Sequence, residues 1–186
     1  YPLCYATHRA LDGLLDLRAA HGFALDEVDA VEIETNYRGL EPLLHDRPWT
    51  GLEAKFSMQY AAAAAIADGA VGLASFEDAA VQRPDIQAFL PKVRAVEASG
   101  PAMPRWATVR VRLTDGRTVE QHVEALRGGA ELPLTDDELL AKVADCFRFA
   151  GAEADPAAVA SAVFDWADRP VADVLAAGRS AAAAEI

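Results

Sequence analysis

Two stretches of this 186-residue chain carry the side chains with chemistry. The first is Cys4 to His8, a thiol and an imidazole at the entry of a predicted helix. Backbone N–H groups and the helix dipole favour an anion at such an entry. The second runs from Arg38 to Tyr60 and holds Arg38, Arg47 and Lys55, the residue types that bind carboxylates, with Arg offering a bidentate fork. His45 adds a titratable ring, Ser57 a small hydroxyl and Tyr60 a phenolic donor. Each residue also has a plainer reading. Cys4 can be a small buried hydrophobe, and His8 a surface residue of a first helical turn. The Arg and Lys side chains can be solvated or ion-paired, and Tyr60 can be a core aromatic with a satisfied hydroxyl. The residues alone therefore predict an anion site and no more.

The element that must position the second group is WTGLEAKFSMQYAAAAAIADG, Trp49 to Gly69. Leu52 to Asp68 contains no Gly or Pro, so the pattern predicts one helix, capped by Thr50 with Glu53 as its box partner and closed by Gly69. Its second half is apolar on every side, which predicts burial all round. On one continuous helix Tyr60 shares a face with Phe56 and Ser57, and Lys55 lies about 140° away. The first group depends on a helix from His8 to about His21, with Thr7 as cap, Leu11, Leu14, Leu15 and Leu17 inward, and Gly22 as stop.

Val28 to Thr35 alternates as a half-buried strand does. Asn36 to Gly51 is a long connection with a short helical possibility over 39–44, and such connections are uncommon unless functional. Ser75, with Asp78 at the box position, predicts a short helix; Pro84 starts another to about Leu90; Val93 to Val96 reads as a strand. Ala107 to Leu113 and Thr118 to Val123 form a hairpin, with Asp115-Gly116 suited to a type I′ turn. Val109, Val111, Leu113, Val119 and Val123 face inward, and Arg110, Arg112, Glu120, His122 and Glu124 form a solvated ladder. After a Gly/Pro linker only helices follow: Thr135 to about Ala150, Asp155 to about Ala167, and Pro170 to about Ala177. The boundary is expected near residue 125, giving an α+β unit over 1–125 and helices over 126–186 too short to bury their own apolar faces.

A net charge of −12 argues against nucleic acid and against an anionic membrane surface, and no apolar run is long enough to span a bilayer. The two cysteines, Cys4 and Cys146, make no disulfide framework, which fits a reducing cytoplasm. The four histidines are scattered and show no metal-ligand spacing. The chain opens at Tyr1 in mid-phrase, so upstream sequence is expected.

LEAKFSMQYAAAAAIADG followed by VGLASFEDAAV resembles the MmgE/PrpD family, whose members include 2-methylcitrate dehydratase-like enzymes, cis-aconitate decarboxylase and iminodisuccinate epimerase. YPLCYATHRALDGLLDLR and LTDGRTVEQHVEALRG carry the same resemblance, in order, through nearly the whole chain. It implies an α+β lid, two layers with a small, mostly antiparallel sheet packed by helices, inserted into a larger all-α domain. The helices over 126–186 would return to that domain, and its N-terminal half would be a partner elsewhere in the same protein. It further implies a cytoplasmic homodimer and cofactor-independent, metal-free chemistry on a small polycarboxylate. Dehydration leads; epimerisation of a dicarboxylate, or a non-catalytic binding or assembly module, are the alternatives. By that resemblance Tyr60, His8 and Cys4 are the catalytic candidates, and Lys55, Arg38, Arg47 and Ser57 the substrate-binding ones. In the decarboxylase branch a histidine stands where this chain has Cys4, which argues against decarboxylation here.

Overall fold

A computed structural model describes residues 1–152, 155–168 and 170–177. The first helix, α1, spans His8–His21 and buries Leu11, Leu14 and Leu17, with Gly22 as its left-handed stop. Thr7 does not cap it. Its Oγ1 donates to the Cys4 carbonyl at 2.8 Å, and a 3₁₀ turn over Tyr5–Thr7 leads into the helix. Strand β1 is Val28–Thr35. The connection after it is a chain of turns, with no helix over 39–44.

The helix expected over Leu52–Asp68 is broken in two: α2, Gly51–Ala54, and α3, Met58–Asp68. Thr50 caps α2 as expected, accepting from the Glu53 N–H, and Gly69 closes α3 with φ 69°. The break has a hydrogen-bonding cause. The Lys55 carbonyl accepts from Cys4 N–H at 3.0 Å and the Phe56 carbonyl from His45 N–H at 3.3 Å, so neither serves a continuing helix. Ser57 then turns extended and caps α3, its Oγ accepting from Tyr60 N–H at 3.1 Å. The run Tyr60 to Ile66 is buried throughout.

Helices α4, Asp78–Val81, and α5, Pro84–Phe89, follow. Ser75 does not cap α4: it lies in the preceding 3₁₀ turn and accepts from Gly72 N–H, while Asp78 accepts from Gly51 N–H at 2.7 Å. The carboxylate that suggested a capping box instead ties α4 to the start of α2.

Strands β2 (Val93–Glu97), β3 (Ala107–Leu113) and β4 (Thr118–Val123) complete one sheet of order β2-β1-β3-β4. β1 pairs with β2 in parallel and with β3 antiparallel, and β3 pairs with β4 antiparallel. Helices plus this small sheet make the fold α+β, with the sheet mostly antiparallel. Val31, Ile33, Val109 and Val111 give the sheet a buried face. α1 lies close against that face at Gly13, where a Cβ would press on Val109 and Val123 at 3.3 Å. On the other face Arg110 pairs with Glu120, both from the expected ladder, and also with Glu32 and Glu34 of β1, while Arg112 pairs with Asp29. The hairpin turn differs from expectation. Gly116 alone has positive φ, at 90°, and Asp115 does not, so a three-residue loop replaces the type I′ turn. Arg117 N–H satisfies the Asp115 carboxylate there.

The chain divides into two compact units, Tyr1–Leu132 and Pro133–Ile186. The second contains α6 (Asp136–Phe149), capped by Thr135 and Glu138 as expected, α7 (Pro156–Phe164) and α8 (Val171–Ala177). Phe149, Val163, Phe164, Trp166, Val171 and Leu175 are exposed in it. No helix among the described residues is long and apolar enough to cross a membrane.

Candidate functional site

The break between α2 and α3 is where the two candidate stretches meet. Cys4 N–H and His45 N–H dock on consecutive carbonyls, those of Lys55 and Phe56, so the Cys4–His8 segment and the 36–50 connection converge there. The break also re-aims Lys55, which on a continuous helix would sit on a different face from Tyr60. Its Nζ lies 5.8 Å from the centre of the Phe76 ring, and that ring packs against Tyr60 at 5.8 Å. Lys55 is half-buried, and no carboxylate of the described residues pairs with it. With 29 acidic residues against 17 Lys and Arg, an ammonium left without an acid is conspicuous. Phe76, which orients it by a cation–π contact, was not among the residues singled out from sequence.

Arg38 is committed elsewhere. It adopts φ 62° and its guanidinium grips Glu41 through Nε and Nη2, at 3.0 and 2.7 Å. Each holds the other charged, raising the guanidinium's pKa and lowering the carboxyl's. Arg47 is exposed. Ser57 is fully buried and occupied as the α3 cap. Tyr60 is 1% exposed, and its hydroxyl donates to the Ser75 carbonyl. Burial, with a smaller push from Asp68, raises the phenol to about 12. Both hydroxyls are thus engaged by backbone within the unit.

The family model for the MmgE/PrpD C-terminal domain matches residues 1–166. The chain belongs to the MmgE/PrpD family. No curated protein matches it.

In this MmgE/PrpD C-terminal domain the second cluster surrounds His8. The ring sits 5.2 Å from Tyr1, edge-on at 82°, and 5.5 Å from Tyr5, with Nε2 at 3.1 Å from the Leu3 carbonyl. Burial lowers its pKa from the ordinary imidazole value. Asp12, one turn further along α1, is 3% exposed and had not been singled out. A signal was available: it stands inside the apolar stripe of Leu11, Leu14 and Leu15, where a lone acid needs partners. Among the described residues no three His, Cys, Asp or Glu side chains gather as metal ligands do. A small cleft lined by His21, Phe23, Glu27, Thr114 and Arg117 holds none of the predicted residues.

Proposed function

We propose that this domain is the lid of a cofactor-independent lyase that dehydrates a small polycarboxylate of the 2-methylcitrate class. The observation that supports the reading is the broken helix, where the backbones of Cys4 and His45 dock beside Lys55, a lysine that no acid among the described residues pairs with. Removing a proton from a carbon beside a carboxylate builds negative charge on that carboxylate. A fixed cation there stabilises the transition state, and Lys55 takes that role. The proton goes to a base, the electron pair forms the new double bond, and the β-hydroxyl leaves as water once a general acid protonates it. His8 serves as the base in this scheme. The acid belongs to the N-terminal helical domain, which, with a second subunit, completes the site in a cytoplasmic enzyme. Arg47, which is exposed, is the second carboxylate contact in this reading. Arg38 holds its loop through Glu41, Ser57 and Tyr60 hold α3, and Cys4 fills space.

The test is turnover by the complete protein of a panel of tricarboxylates and dicarboxylates carrying a β-hydroxyl, read as absorbance of the new double bond. Formation of an unsaturated acid supports the reading. Inversion of a stereocentre without unsaturation points to the epimerase alternative, and tight binding without any reaction points to a binding module.

A further inference from the structure

The buried carboxylate of Asp12 is held by three groups from two other segments of chain. Its Oδ1 accepts the Tyr1 hydroxyl at 2.6 Å, its Oδ2 accepts the Arg127 backbone N–H at 2.9 Å, and the Arg127 guanidinium approaches Oδ1 at 3.5 Å. Such saturation is what a buried carboxylate requires. Its consequence is that the Tyr1 ring is fixed at its far end. That ring is the edge-on neighbour of His8, and Tyr5 flanks the imidazole as well.

The remaining contact sets the tautomer. The Leu3 carbonyl can only accept, so the Nε2 that lies 3.1 Å from it carries the hydrogen. In the neutral ring the lone pair is then on Nδ1, and no polar group of the described residues bonds to Nδ1. The His8 ring is half-buried and its Nδ1 is not a buried atom, so that nitrogen stays accessible without a protein partner. One nitrogen is thus tied down, the ring is flanked by two tyrosines, and the other nitrogen is open.

We propose that Asp12 and Tyr1 are positioning residues that hold His8 as the Nε2–H tautomer and keep Nδ1 open as the proton acceptor of the site. Neither touches substrate. Asp12 acts through Tyr1, and Tyr1 through the ring contact. The assignment of Nδ1 as acceptor in turnover rests on the lyase reading above; the holding of the ring does not.

The experiment uses the complete protein with ring-¹⁵N histidine and reads the two nitrogen shifts of His8 by NMR at neutral pH, beside kcat and KM on the acid that the panel identifies. The wild type is expected to show the Nε2–H pattern. Tyr1→Phe removes only the hydroxyl that Asp12 holds. It is expected to give averaged, mixed-tautomer shifts and to lower kcat by roughly 10-fold or more while KM stays within about twofold, as loss of alignment does. Asp12→Asn keeps an acceptor for the tyrosine and should retain most of the wild-type pattern. An Nδ1–H pattern or a charged ring in the wild type would overturn the proposal, as would Tyr1→Phe with unchanged shifts. If none of the acids reacts yet the shifts behave as described, the lyase reading falls and the positioning stands. If turnover is seen and Tyr1→Phe changes neither shifts nor kcat, the positioning falls alone.

Discussion

Tyr60→Phe separates the two roles open to this residue. The hydroxyl it removes is buried and donates to the Ser75 carbonyl, joining α3 to the turn that carries Phe76. Losing one such bond, with its acceptor left in place, costs about 1–2 kcal/mol. At about 2–4 °C per kcal/mol for a chain of this size, Tm should fall by roughly 2–8 °C. Alkali supplies a second reading. Burial pushes the phenol up to about 12, against an ordinary value near 10. Because the folded value is the higher, this contribution is fully present below about pH 10 and lost as pH rises through about 12. At about 1.4 kcal/mol per tenfold change in acidity, it amounts to roughly 2–3 kcal/mol. The variant has no phenol to titrate and should lose less stability over that window. Thermal unfolding followed by circular dichroism at neutral pH and at about pH 11, with kcat for the complete protein, checks all three. We expect a lower neutral Tm, a shallower alkaline decline and kcat within a few-fold of wild type. Unchanged Tm with kcat lowered by roughly 100-fold or more, the scale of general acid catalysis, would refute the reasoning and make Tyr60 the proton donor.

Gly51→Ala should destabilise the domain by about 1–3 kcal/mol in denaturant titration, because its Cβ would overlap the Phe76 carbonyl oxygen, which is backbone and cannot swing away. Cys4→Ser should leave turnover of the complete protein within a few-fold of wild type, since Cys4 meets the site through its backbone N–H; a loss of roughly 100-fold or more would instead give the thiol a chemical role.

Much of this fold was legible from local pattern. The alternation in Val28–Thr35 and in the hairpin, the apolar run after Tyr60, the Thr135–Glu138 box and the Gly22 and Gly69 stops all depend on neighbours within a few residues. What was not legible came from distant partners. No property of EAKFS announces a helix break; the break exists because Cys4 and His45, far away in sequence, donate to its carbonyls. Asp78 satisfies a box pattern locally but finds Gly51 instead. The candidate site follows the same rule. Cys4 and Lys55 were visible as residue types, yet the backbone bond that joins them was not, and the helical-wheel separation of Lys55 from Tyr60 assumed a helix that is interrupted. Arg38 reads as a carboxylate binder in sequence and is one, but its carboxylate is Glu41.

Lys55, which no acid among the described residues pairs with, is proposed to hold a carboxylate of the substrate. Equilibrium binding of a tricarboxylate panel to the complete protein, wild type against Lys55→Ala, tests it most directly. The ligand that binds best should weaken by about 10-fold or more in the variant, as loss of a charge-assisted contact of about 1.5–3 kcal/mol implies, and should protect Lys55 in the wild type from amine acetylation read by mass spectrometry. Equal affinity in both proteins, with Lys55 acetylated as fast in the presence of ligand as without it, would contradict the account.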